Sequence, residues 1–179
     1  MAHATAALAQ TDPSNDDCFA PLDGLHPVLA DYVRGIDSCL RELDLRDVPL
    51  QVEKLLEPVV ACDGLLREDQ MEGDADSYRR HLLFADPAGR FTVLALVWQP
   101  GQETCVHGHN AWGAVGVHQG EVTCELFELD SQETLQQSGE LTASAGAVSS
   151  VHPNPEGIHR LANRSVGRTI TIHTYGMDL

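Results

Sequence analysis

Between Leu25 and Leu45 the apolar residues Leu25, Val28, Leu29, Tyr32, Val33, Ile36, Leu40 and Leu43 recur at threes and fours, the spacing of one stripe on a helix. After a break at Asp47-Val48-Pro49, a second stripe of Leu50, Val52, Leu55, Leu56, Val59 and Val60 predicts another helix ending near Leu66. Pro58 is expected to kink or split it, because proline removes a backbone donor inside a helix. The acidic stretch from Arg67 to Asp76 reads as a loop. From Tyr78 the period falls to two, in β-branched runs broken by Gly, Pro and Asn. Strands are expected at Tyr78–Phe84, Phe91–Trp98, Thr104–His109, Gly113–His118, Val122–Glu128, Leu141–Ala143, Ala147–His152, Ile158–Asn163 and Arg168–Tyr175. Many short strands at close spacing argue for an antiparallel sandwich or barrel behind a helical preamble.

The chain divides accordingly into an aperiodic, flexible leader over 1–24, a helical cover over 25–77 and a β-barrel over 78–179. At 179 residues, cover and barrel are expected to form one domain. The 27 acidic against 11 basic residues give a net charge of −16, which repels phosphate backbones and anionic lipid surfaces and argues against nucleic acid or membrane as a partner. The five cysteines are odd in number, scattered and without a C-x-x-C pair, a pattern suited to a reducing cytoplasm. The amino terminus does not read as a secretory signal. No stretch approaches the roughly 20 apolar residues of a membrane span. A monomer or weak homo-oligomer is expected.

Chemistry concentrates in Gln99–Gly120. His107 and His109 stand one residue apart behind a Pro100-Gly101 turn, and residues two apart on a strand share a face, so the two imidazoles can converge on one point. Neutral imidazole suits iron, zinc, copper and nickel. Two ligands are seldom enough, and His159, placed just after a turn at the start of a strand, is the candidate third. Thr171, His173 and Tyr175 share one strand face, with Ile170 and Ile172 on the other. A hydroxyl–imidazole–phenol chain lining a polar cavity can pass or hold a proton, while the aliphatic face packs outward. Cys105 falls on the face of His107 and reads as small packing more than as a ligand. Trp98 and Trp112 read as packing, Trp112 also as a candidate wall of the pocket.

These residues resemble a family. The Gly101, His107-x-His109, Gly113 and Gly120 pattern looks like the first motif of the cupins, and Pro155-x-Gly157-x-His159 with Asn163 looks like the second. The resemblance implies a small antiparallel β-barrel or jelly roll, preceded here by a pair of helices. The Glu that commonly completes the first motif falls on Gly113, which leaves three His and no carboxylate. In that respect, and in Trp98-x-Pro100-Gly101-Gln102, Tyr78-Arg79-Arg80 and Thr171-x-His173-x-Tyr175, the sequence resembles the thiol dioxygenases, the family of cysteine dioxygenase and 3-mercaptopropionate dioxygenase. It departs from them at Gly108, where relatives often carry Asp, and at Thr171, where they carry Ser. Gly113 also cannot make the Cys–Tyr cross-link of animal relatives.

What the resemblance implies is an Fe(II) enzyme that oxidises a small thiol carboxylate with O2. His107, His109 and His159 would be the metal ligands. His173, Tyr175 and Thr171 would be catalytic, with Tyr175 bonding substrate or oxygen and His173 orienting it. Arg80 and Tyr78 would bind substrate. A guanidinium matches a carboxylate, and relatives acting on cysteine carry Arg at the Arg80 position where 3-mercaptopropionate enzymes carry Gln, so cysteine is the favoured substrate over 3-mercaptopropionate and mercaptosuccinate. Two rival readings remain: another metal cupin, such as a zinc or manganese isomerase or lyase, and a non-catalytic ligand-binding cupin. The first leaves the missing Glu and the His173–Tyr175 pair unexplained, and the second the full set of imidazoles.

Overall fold

The computed structural model describes residues 22 and 24–176, so the expected leader lies outside the described residues apart from Leu22 and Gly24. Helix α1 spans Pro27–Glu42. His26 caps it by accepting the Val28 amide at Nδ1, 3.3 Å away, and Pro27 at the first position has the φ a helix needs and no amide to waste. Helix α2 spans Val48–Val60, not the predicted run to Leu66. Pro58 does not kink it midway but lies in its last turn, where the hydrogen bond its missing donor removes is lost at the end of the helix rather than from its middle. The stretch expected as loop contains one 3-10 turn, Glu68–Met71, closed by the Arg67 amide donating to Gln70 Oε1 at 3.0 Å. No helix among the described residues is long and apolar enough to cross a membrane.

The strands are β1 (Arg79–Ala85), β2 (Phe91–Trp98), β3 (His107–His109), β4 (Gly113–Gln119), β5 (Glu121–Leu129), β6 (Leu135–Ser144), β7 (Val148–Val151), β8 (Asn154–Ala162) and β9 (Thr169–Gly176). They form two antiparallel sheets, one ordered β1-β2-β9-β4-β7 and the other β3-β8-β5-β6. This is the mainly β architecture with two leading helices that the patterning predicts. Two strands, β6 and β8, are longer than expected by three residues or more. β6 pairs along the length of β5 from Ser144 to Leu135; it is an edge strand whose side chains are nearly all exposed, so no apolar alternation marks it. β8 begins at Asn154, where a turn was expected. Its first residues pair only with β3, leaving an edge there that tolerates Pro155. β3 is shorter than Thr104–His109 and holds little more than the two histidines.

β2 and β9, inside the five-stranded sheet, are buried on both faces. Phe91, Val93, Ala95 and Val97 of β2, with Ile170 and Ile172 of β9, join Val33, Ile36, Val52 and Leu56 of the helices in one core. Leu96 and Trp98, on the opposite face of β2, meet Val117, Val122 and Leu161 between the sheets. The outward aliphatic face of β9 is therefore roofed by helices. α2 seats closely because Gly116 has no side chain: a Cβ there would lie 2.5 Å from Val60 Cγ1 and 3.2 Å from Leu56 Cδ2. With its outer face sealed, β9 presents Thr171, His173 and Tyr175 to the interior.

A charged brace holds this roof. Arg90 donates to Asp86 at 2.8 Å and 3.0 Å and to Asp37 of α1 at 2.8 Å, and both carboxylates are buried. Arg90→Met leaves the buried Asp86 with backbone donors alone and Asp37 with Arg41 as its remaining cation, and we expect it to cost about 3 kcal/mol in urea unfolding. The Arg90 hydrogen bond holds the Asp86 carboxyl below its usual range, against the opposing effect of burial. A depressed folded pKa contributes stability that is present above the unfolded value of about 4 and is lost as pH falls through the folded one. Wild type should therefore lose stability with acid below about pH 4, and the variant should show a shallower acid slope.

Candidate metal centre

β3 carries His107 and His109, and β8 sets His159 directly opposite His107 in the ladder. The ligand nitrogens of the three lie within 4.8 Å of one another, with ring centroids 4.7–5.2 Å apart. Among the described residues no carboxylate or thiol joins the group. At Gly113 a Cβ would lie 3.2 Å from the Thr174 carbonyl and 3.7 Å from Tyr175 Cδ1, so a side chain there would press on that carbonyl and touch the phenol ring at ordinary contact distance.

The tautomers follow from the partners. A carbonyl only accepts, so His107 carries its proton on Nδ1 and donates to the Cys105 carbonyl at 2.9 Å, leaving the Nε2 lone pair free. His159 places Nδ1 3.4 Å from the Cys124 sulfur, while its Nε2 is buried without a partner. An unsatisfied buried nitrogen costs about 1–3 kcal/mol, and a metal ion is the ligand that three converging lone pairs would satisfy. Burial and the neighbouring imidazoles push His109 down and His159 to about 4, so both are neutral and able to ligate at pH 7. The residues fit a divalent metal of the imidazole-binding class.

β9 runs beside this triad. Trp98 Nε1 donates to Thr171 Oγ1 at 2.8 Å, Thr171 Oγ1 lies 2.8 Å from His173 Nε2, and His173 Nδ1 lies 2.9 Å from the Tyr175 hydroxyl. Indole can only donate, so Thr171 accepts there and its own proton is free for His173 Nε2. His173 then holds its proton on Nδ1 and donates to Tyr175, whose hydroxyl proton is left for an acceptor in the pocket. His173 is 3% exposed; burial, then the Arg80 charge, pushes it down to about 3, and burial pushes Tyr175 up to about 12. Both groups are therefore neutral.

Tyr78 stacks on Trp98 with centroids 4.4 Å apart. Arg80 lies over the Tyr78 ring, 4.6 Å from its centroid, and donates to its hydroxyl. Among the described residues Arg80 has no carboxylate partner. Arg80, Tyr78, the three histidines, His173 and Tyr175 all line one pocket of about 290 Å³. Thr171 does not; it lies behind His173, in hydrogen-bond contact with its Nε2.

Some expectations need correcting. Cys105 is not a packed interior residue: it is exposed, lines the pocket and gives His107 its carbonyl. Trp112 is buried in the helix-side core against the Gly176 backbone and does not wall the pocket. Trp98 is more than packing, since it anchors the Thr171–His173–Tyr175 chain and stacks on Tyr78. The usable signal was its place on the inner face, where a buried indole N–H must find an acceptor. Asn163, seen only as a motif residue, holds Trp98 in turn by donating to the Trp98 and Gly167 carbonyls at 3.1 Å and 2.7 Å. Cys124, unremarked in sequence, is the hydrogen-bond partner of His159.

Proteins of similar shape and sequence are known. Solved structures of similar shape include TT1209 from Thermus thermophilus, 15% identical with a TM-score of 0.49 over 65% of this chain and 96% of that one. A Cupin 2 conserved barrel domain protein from Salinispora arenicola is 17% identical, with a TM-score of 0.47 over 65% and 90% of the two chains. The sequence matches cysteine dioxygenase type I over residues 55–177, from within α2 to beyond the end of β9. This chain belongs to the cysteine dioxygenase type I family.

Proposed function

We propose that the protein is an iron(II)-dependent dioxygenase that adds both atoms of O2 to the sulfur of a small thiol carboxylate, cysteine being the favoured head group, to give the sulfinate. The observation that carries this reading is the meeting, in one pocket, of a three-histidine centre and an arginine that has no carboxylate partner among the described residues. His107, His109 and His159 would hold the metal; iron(II), when bound, supplies the Lewis acidity that favours thiolate over thiol and the redox chemistry that O2 needs.

The chain's own residues do the rest. Arg80 offers its planar fork to the substrate carboxylate, braced from below by the Tyr78 ring, and so limits where the thiol can lie. Tyr175 donates its hydroxyl proton to whatever acceptor stands between Arg80 and the triad, and His173 keeps it aimed. Because His173 is buried and neutral, it orients the phenol without adding a second cation beside Arg80. The reaction, RSH + O2 → RSO2H, takes four electrons from sulfur and needs no external reductant.

The test is O2 uptake by protein loaded anaerobically with iron(II), given cysteine, 3-mercaptopropionate and mercaptosuccinate, with products identified by mass. One O2 consumed per thiol, and a product heavier by two oxygen atoms, is the expected result. Iron held at one per chain with no uptake on any thiol would remove the dioxygenase reading and leave a cupin of other chemistry.

A further inference from the structure

The pocket around Arg80 is only part of the space between the sheets. Beyond His109 and His159 lies a second compartment of about 430 Å³, larger than the first, sharing with it these two histidines, Val115, Ser149, Val151 and Leu161. Its walls are hydrocarbon, chiefly Val117, Val122, Leu126 and Leu141. The sequence leaves it open by setting small residues, Ala143, Ala147 and Ser149, on β6, the β6–β7 turn and β7 against these larger ones. Protein interiors are otherwise close-packed. Leu126 and Leu141 remain 40% and 51% exposed, and among the described residues Glu128, exposed on β5, is the one carboxylate that lines it. A compact thiol acid held by Arg80 and the triad has no use for this volume, and together the two spaces reach the size that encloses larger organic ligands.

We infer that the apolar compartment is a second subsite, which takes a hydrocarbon arm carried by the substrate. The preferred substrates are then thiol carboxylates bearing an alkyl, acyl or aryl substituent, with cysteine itself the minimal head group. The inference rests on the reading of Arg80 as carboxylate anchor. The division of labour is chemical: the cation that suits a carboxylate stands on the Arg80 side, and the far side, with Glu128, Ser138 and Ser149 as its polar exceptions, offers mainly apolar contact, which rewards each methylene buried.

The test separates binding from turnover. Straight-chain carboxylates from butyrate to decanoate are titrated by calorimetry into the full-length, metal-free protein. Beyond the length that clears the triad, affinity should rise about fourfold per added methylene, then level off when the compartment is full. Leu141→Asp, at an already exposed position, and Ala143→Trp, which fills the space, should each flatten that rise while leaving iron content and cysteine oxidation unchanged. In the iron-loaded protein, N-hexanoylcysteine should show a KM at least tenfold below that of N-acetylcysteine. An affinity flat along the acid series, whether because a segment of the chain fills the compartment or because it stays wet, overturns the inference even if cysteine is oxidised. A rising series in a protein that oxidises no thiol would keep the apolar subsite and remove the dioxygenase reading instead.

Discussion

His159→Ala should lower iron(II) affinity by at least 100-fold, more than removal of an outer-shell partner typically costs. The triad takes two histidines from β3 and one from β8, so of the proposed ligands only His159 would tie a metal to the second strand. Without it, two neutral imidazoles from a three-residue strand remain. In the metal-free protein the same substitution should be mild, because it also removes the buried Nε2 that lacks a partner, and the gain of about 1–3 kcal/mol from that loss offsets the cavity it leaves. The two effects separate cleanly in thermal unfolding under anaerobic conditions. At iron(II) 100-fold above its dissociation constant, wild type gains about 2.7 kcal/mol, whereas the variant gains almost nothing. Metal analysis gives the complementary reading, and a variant that kept stoichiometric iron would dismiss His159 as a ligand.

This centre was legible in the sequence because its geometry is local. The His107-x-His109 spacing on a strand fixes two rings on one face whatever the rest of the chain does, and Thr171, His173 and Tyr175 are ordered by the same alternation. His159 was reachable through its place after a turn. What was not legible depends on register between distant segments. Nothing near Trp98 says that its indole will reach Thr171, and nothing near Cys124 says that β5 will lay it beside His159. Most of β6 escaped, with only Leu141–Ala143 expected as strand, because an exposed edge strand needs no apolar period, and its Leu135–Ser144 sequence shows none. The second compartment was equally hidden: an alanine on one strand says nothing of the space before it until the facing sheet is known. The helical roof sits between these cases. Its stripes were plain, but that Gly116 admits α2 against the sheet is a fact of close approach, visible only once both are in place.

Arg80→Gln is expected to raise KM for cysteine and for 3-mercaptopropionate by about 10–30-fold, with kcat and iron content little changed. A hydrogen bond to a charged group is worth about 1.5–3 kcal/mol, and the lower part of that range applies because Arg80 is exposed and its charge partly screened by water. Glutamine keeps one donor but loses both the charge and the fork. The loss falls on binding because a carboxylate gripped equally in ground and transition states contributes to both. Cysteamine, which has the thiol and no carboxylate, is the control: if Arg80 serves the carboxylate, its slow oxidation should be the same in both proteins. Tyr78→Phe separates the guanidinium's own role from that of its support, since the ring beneath Arg80 survives and only the hydroxyl that receives its hydrogen bond is lost; an effect near threefold is expected, on the order of the weaker hydrogen bonds. An unchanged KM in Arg80→Gln would leave the cation without a substrate to hold. A rise shared equally by cysteamine would mean that Arg80 acts through the phenol and imidazole of β9, whose His173 its charge already depresses, rather than by touching the substrate.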